Sequence, residues 1–243
     1  YKTAKANEDG KTYTISMEAW ATGKTTTSTT TVPLDIALVL DVSGSMDDPF
    51  AGGQKKIDAL KTAVNGFIEG VAAKSPDSNI SIVKFAGDKA NWVGNDMYWD
   101  SGHRYNYTQI VTTLTPAKTG KDTLKAAVNG LRAAGATPAD YGMQLAQAAL
   151  APSTSGNSKV VVMFTDGEPN YYSGFDNSVA AWAVNTARSM KAGGTTIYTV
   201  GVFTNPSEKV IDYMNATSSN YPQATATDNF DVTWGEGSDK GYY

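Results

Sequence analysis

Apolar and polar positions change rhythm repeatedly along this chain, and the changes predict its elements. Between Thr12 and Trp20, Tyr13, Ile15, Met17 and Ala19 alternate with Thr14, Ser16, Glu18 and Trp20, the two-residue period of a half-buried strand. Thr22–Thr31 follows, with seven threonines in ten residues and no core-forming pattern, and reads as an extended connector. Leu34–Leu40 (LDIALVL) is a near-continuous apolar run closed by Asp41, and Lys159–Thr165 (KVVVMFT) is another, closed by Asp166. Such runs suit strands covered on both faces, as in parallel sheets. Ile80–Phe85, Ile110–Leu114 and Thr195–Phe203 read as further strands. Apolar residues at 57, 60, 63, 64, 67, 68 and 71 give Ile57–Val71 a helical period. Thr123–Leu131, Ala139–Leu150, Val179–Met190 and Ser207–Met214 also read as helices.

Helical patterns thus alternate with strands, which predicts an α/β fold: an open, mostly parallel, doubly wound sheet flanked by helices. We expect residues 1–31 to form an N-terminal strand and connector, compatible with an adjoining β domain. Residues 32–216 form the main domain, and 217–243 a polar tail whose Thr225–Val232 segment is compatible with one more strand.

Composition narrows the function. Of the 243 residues, 41% are hydrophobic, enough for a sizeable core without staples. Lys and Arg number 20 against 24 Asp and Glu, a net charge of −4, so neither nucleic acid nor an anionic membrane is an expected partner. No apolar run reaches the ~18 residues needed to span a bilayer. The absence of cysteine excludes disulfides, thiol catalysis and thiolate metal sites, and the single histidine, His103, excludes a multi-His site. The chain opens on Tyr1 rather than Met, which suggests a processed product or a piece of something longer.

Three segments carry candidate chemistry. Asp41-Val42-Ser43-Gly44-Ser45 follows the first buried strand, at the carboxyl end where open α/β sheets bind ligands. Asp41, Ser43 and Ser45 are hard oxygen donors, suited to Mg²⁺, Mn²⁺ or Ca²⁺. Gly135-Ala136-Thr137-Pro138 precedes a helix, so the Thr137 hydroxyl can face the same end. Phe164-Thr165-Asp166-Gly167-Glu168 repeats the strand-then-Asp arrangement. Taken singly, each is also compatible with a helix cap or a plain turn.

Together, Asp-x-Ser-x-Ser, Gly-Ala-Thr and Thr-Asp-Gly resemble the metal-ion-dependent adhesion site of von Willebrand factor type A domains, over about Val32–Met214. The resemblance implies a Rossmann-like sheet and a non-catalytic adhesion module. It also implies a cation, Mg²⁺ or else Mn²⁺ or Ca²⁺, held by Ser43, Ser45, Thr137, Asp41 and Asp166. The vacant position would go to an Asp or Glu of a protein partner, a host matrix or cell-surface protein or another pilus subunit. The middle segment departs slightly, with Ala136 where the family often has Gly. The Asn7–Ala19 stretch, the Asp140–Met143 helix start and Ser218–Pro222 are similar to surface proteins and pilus tip adhesins of Gram-positive bacteria. That implies an extracellular place, on the cell wall or a pilus.

Aromatics crowd the segment between the Ile80–Phe85 and Ile110–Leu114 strands: Trp92, Tyr98, Trp99, His103, Tyr105 and Tyr107. Tyr171 and Tyr172 follow Asp166. In the family's topology both segments emerge at the metal face, and exposed Tyr and Trp suit recognition surfaces. The competing reading is that these rings pack on one another. An enzyme reading is weaker. Asp41-x-Ser43 resembles the nucleophile turn of haloacid-dehalogenase-like phosphatases, but Ser43 stands where their second Asp belongs. No Gly-x-Ser-x-Gly elbow frames Ser43 or Ser45. Gly23-Lys24-Thr25 lacks the leading glycine of a P-loop, since Glu18 stands there.

Overall fold

The two apolar runs that end in aspartate become adjacent central strands. The computed structural model describes residues 2–6, 13–17, 32–203, 205–238 and 240–242. The chain divides into two units, Tyr1–Thr31 and Val32–Tyr243. In the first, β1 (Lys2–Ala6) pairs antiparallel with β2 (Tyr13–Met17). The connector expected over Thr22–Thr31 lies outside the described residues.

In the second unit the order is β3 (Leu34–Asp41), α1 (Lys56–Lys74), β4 (Asn79–Phe85), β5 (Met97–Asp100), β6 (His103–Asn106) and β7 (Gln109–Pro116). There follow α2 (Lys121–Asn129), α3 (Ala139–Leu150), β8 (Ser158–Thr165), α4 (Asn177–Ala192), β9 (Thr196–Gly201) and α5 (Glu208–Thr217). Two short strands, β10 (Thr225–Ala226) and β11 (Val232–Thr233), close the chain. Five strands form the main sheet in the order β7-β4-β3-β8-β9. All its pairs are parallel except β4–β7 at one edge.

The apolar runs are continuous because both sheet faces are covered. On β3, Ala37 and Val39 face α3, α4 and α5, packing with Met143, Ala146 and Val184. Ile36, Leu38 and Leu40 face α1 and α2, packing with Leu60, Val64, Ile68, Leu124 and Val128. Burying a Leu, Ile or Val side chain contributes about 1.5–3 kcal/mol, so two such layers dominate the stability.

In the polar tail, the Thr225–Val232 segment read as compatible with one more strand holds β10 and the first residue of β11. β10 and β11 pair as a small hairpin, and Ala224 and Phe230 are buried against α4 and α5. Asn185 of α4 bonds both backbone groups of Ala226, at 2.8 and 3.0 Å. The Lys191 ammonium donates to the carbonyls of Ala216, Ser218 and Tyr221 at 2.8–2.9 Å. These contacts tie a polar sequence down through backbone groups, which leave no hydrophobic period to read.

Candidate functional site

β3 and β8 are parallel neighbours, so Asp41 and Thr165-Asp166 leave the sheet at the same end. The Gly135 turn lies against them. Ala134 N–H donates to Val42 O at 2.9 Å, Gly44 N–H to Gly135 O at 2.9 Å, and Ala136 N–H to Ala86 O at 2.8 Å. Gly135 has φ +117°, and a Cβ there would sit 2.0 Å from Ala86 O, so only glycine fits. Thr137 N–H then donates to Asn170 O at 3.0 Å, and Thr137 O accepts from Asn170 N–H at 2.9 Å. These zips bring three segments, distant in sequence, to one point.

The oxygens form a chain. Ser43 Oγ lies 3.0 Å from Ser45 Oγ, and Ser45 Oγ donates to Asp166 Oδ1 at 2.9 Å. Asp41 sits behind them, fully buried. Its Oδ1 accepts from Ser43 N–H and its Oδ2 from the Thr165 hydroxyl, each at 2.8 Å. Thr137 is buried in the wall of an open cleft of about 470 Å³, shared with Ser45, Lys56, Asp166, Glu168 and Asn170. Cap roles account for neither hydroxyl. The turn after Ser43 has no side-chain cap bond, and α3 is preceded by Pro138, also without one.

The electrostatics around Asp41 are unfavourable to its ionised form. Burial, then the charge of Asp166, push the Asp41 pKa up, and the bonds from Ser43 and Thr165 do not offset them. Asp166 itself is met by the Lys56 ammonium at 2.8 Å. Among the described residues no three His, Cys, Asp or Glu side chains converge, so here hydroxyls must complete any donor set. The donors fit a small hard ion. Adjacent ligands of an octahedral ion at ~2.1 Å lie about 3.0 Å apart, the spacing of the Ser43, Ser45 and Asp166 oxygens.

Lys56 joins this site without having been predicted, and Thr165 and Glu168, quoted in the Asp166 segment without a role, join it too. So does Asp140, which is buried beside Thr137 on α3. Its Oδ2 accepts from the Tyr171 hydroxyl at 2.8 Å and its Oδ1 has no partner among the described residues, while burial raises its pKa. Tyr171 thereby stitches the segment after Asp166 to α3, whereas Tyr172 is 96% exposed.

The aromatic segment beyond β4 is not an open loop. β5 and β6 form an antiparallel hairpin within it. The Tyr98 ring lies 4.5 Å from Tyr107 and 5.6 Å from Tyr105, and Trp92 lies 5.4 Å from Tyr107, edge-on. These four rings pack on one another to hold the hairpin. Trp99, on the hairpin, is 72% exposed, Trp92 is 53% exposed, and His103 at the turn is also exposed.

No helix among the described residues is long and apolar enough to cross a membrane. No curated protein matches the chain. Among solved structures, it is similar to the pilus adhesin SpaC from Lactobacillus rhamnosus GG at 20% identity and a TM-score of 0.57, over 77% of this chain and 28% of SpaC. It is also similar to the vWF domain of the type V pili tip protein Mfa5 from Porphyromonas gingivalis, at 15% identity and 0.56, over 78% of this chain and 88% of that one. A third likeness is to proximal thread matrix protein 1 from the mussel byssus, at 18% identity and 0.51, over 78% and 41%. This chain thus spans little more than a quarter of SpaC. The sequence model of the von Willebrand factor type A domain matches residues 35–233, most of the chain and every segment of the cleft, and the protein belongs to that family.

Proposed function

We propose that the domain is a non-catalytic adhesion module that grips an acidic side chain of a protein partner through a divalent cation, Mg²⁺ or else Mn²⁺ or Ca²⁺. The observation that carries this is the run of Ser43, Ser45 and Asp166 oxygens at ligand spacing, backed by buried Asp41 and open to the cleft. Ser43, Ser45, Thr137 and Asp166 would hold the ion, with Asp41 behind. When bound, the ion supplies a coordination position that an incoming carboxylate fills. Two carboxylates already present leave the site short of negative charge once the ion and Lys56 are counted, which favours an acidic ligand. Tyr172 offers further contact beside the cleft.

A phosphatase-like hydrolase fits less well. A nucleophilic carboxylate needs an oxygen facing the substrate, and both Asp41 oxygens are engaged from within the fold. The pilus adhesin and pili tip protein among the structural likenesses support a place outside the cell, on the wall or a pilus. A host matrix or cell-surface protein is then the natural partner. If the acidic group belongs to a neighbouring subunit, the same contact serves assembly.

The test is a calorimetric and melting titration of EDTA-stripped protein with Mg²⁺, Mn²⁺ and Ca²⁺. One-site binding is expected at roughly 0.1–1 mM, the range of extracellular cation modules. At ~10 mM ion this corresponds to about 2 kcal/mol and a melting shift of several degrees. Asp41→Ala and Asp166→Ala should fold and lose both effects. A wild type that binds no divalent ion would sink the reading.

A further inference from the structure

A second cavity lies on the other side of the hairpin from the packed tyrosines. It holds about 420 Å³ and is lined by Asn95, Asp96, Met97, Arg104, Asn106 and Arg132, with Gly130 at its edge. Arg104 and Arg132 are exposed. Beneath it lies Lys84, fully buried on β4. Its ammonium donates to Asn95 Oδ1 at 2.7 Å, Asp96 O at 2.8 Å and Asn106 Oδ1 at 3.1 Å, all of them neutral acceptors. Among the described residues, no ion pair involves Lys84, Arg104 or Arg132. The one carboxylate in the lining, Asp96, is drawn aside by Trp92 Nε1 at 2.7 Å and Gln109 Nε2 at 2.8 Å. In a chain of net charge −4, three cations against one carboxylate make a local excess of positive charge. Buried Lys84 is the costly part, because its desolvated ammonium bonds directly only to amide and carbonyl oxygens, and the nearby charge of Asp96 offsets only part of its burial.

The hairpin adds an apolar platform. Trp99 stands directly opposite Arg104 in the antiparallel register, and Met97 opposite Asn106. Opposed residues share one face, so the exposed indole flanks the same face that lines the cavity. Guanidiniums grip carboxylate-like anions through paired donors, and an indole offers a flat face to the C–H side of a sugar ring. A peptide carboxylate alone would not use that platform.

We infer that this cavity binds an acidic saccharide, its carboxylate or sulfate held by Arg104 and Arg132 and its ring resting on Trp99. The site is separate from the cation cleft and needs no metal.

Calorimetry and tryptophan fluorescence in EDTA test it, with a sulfated heparin-derived tetrasaccharide, a carboxylated hyaluronan-derived hexasaccharide, neutral maltotetraose and inorganic sulfate as probes. At least one acidic saccharide should bind saturably, and which one does separates sulfate from carboxylate as the preferred group. Maltotetraose should not bind. Arg104→Ala with Arg132→Ala, both exposed and so tolerated by the fold, should weaken binding about ten-fold or more. Trp99→Ala should weaken it by about three-fold or more, and Asp41→Ala should leave it unchanged. Failure of both acidic saccharides to bind would overturn the inference. So would binding indifferent to the double arginine variant. If inorganic sulfate binds as tightly as the tetrasaccharide and Trp99→Ala changes nothing, the cavity is a bare anion site and the saccharide assignment falls.

Discussion

Asp35 and Asp41 sit at opposite ends of one strand, both fully buried, and have opposite electrostatic fates. Asp35 accepts from Asn79 Nδ2 at 2.8 Å, Ser155 Oγ at 2.7 Å, Asn157 Nδ2 at 3.1 Å and the Ser153 hydroxyl. Burial pushes its pKa up, but those four neutral donors together outweigh it and leave the carboxyl below its ordinary value. Asp41 accepts from one amide and one hydroxyl, has Asp166 as neighbour, and is pushed the other way. A buried carboxylate with a full set of donors is an anchor. One with too few donors and a like charge beside it gains from a cation, the role the proposed function gives Asp41. The residue type and the strand are the same, so the neighbours alone decide the role.

The largest effect that tests this contrast is expected from Asp35→Ala. It leaves Asn79, Ser155 and Asn157 facing a void and frees the turn that joins α3 to β8. Loss of a buried, charge-accepting network costs about 3 kcal/mol or more. Urea unfolding should show that loss, while cation affinity in the surviving folded protein stays at its wild-type value. A variant that kept its stability and lost the ion would reverse the two roles.

A smaller effect should appear with pH. Because the folded pKa of Asp35 is depressed, its contribution is present above the ordinary value of 3.8 and is lost as pH falls through the lower folded value. Asp35→Asn should therefore have a shallower acid limb than wild type in melting scans below about pH 4. An equally steep limb would mean that Asp35 ionises alike in the folded and unfolded chain. Asp41 has the opposite sign. Its raised pKa favours the neutral acid, so the ion-free protein loses from this residue as pH rises above 3.8.

This contrast also marks how far the sequence could be read. The central strands β3 and β8 were legible because both sheet faces are covered, giving near-continuous apolar runs. Asp41, Ser43, Ser45, Thr137 and Asp166 stood out because each sits at a turn following or preceding a regular element. Lys56 and Thr165 did not, since what they contribute depends on a neighbour more than a hundred positions away. The β5–β6 hairpin was hidden because its alternation places Tyr98 and Tyr105 on one face and Trp99 and Arg104 on the other, which mixes aromatic and polar residues on both. Lys84 carries no signal of its own within the apolar Ile80–Phe85 strand. Only the packing of Asn95 and Asn106 around it shows that it is fully enclosed.

The smallest predicted effect concerns Lys56, the fold's own partial answer to the charge of Asp166 beside Asp41. Its ammonium is 2.8 Å from Asp166 Oδ2, with the two side chains only 17% and 3% exposed. In the ion-free protein this pair offsets one of the two clustered carboxylates. With a divalent ion present, the same ammonium is a like charge close by. At an effective dielectric of ~20, a unit charge and a divalent ion ~6 Å apart repel by about 5 kcal/mol, and side-chain rearrangement and counter-ions remove most of that. Lys56→Met should therefore bind Mg²⁺ about three- to ten-fold more tightly by calorimetry, and its ion-free form should melt slightly lower than wild type. If affinity instead falls, Lys56 serves chiefly to hold Asp166 in position, and the charge contrast between the two ends of β3 is set by Asp41 and Asp166 alone.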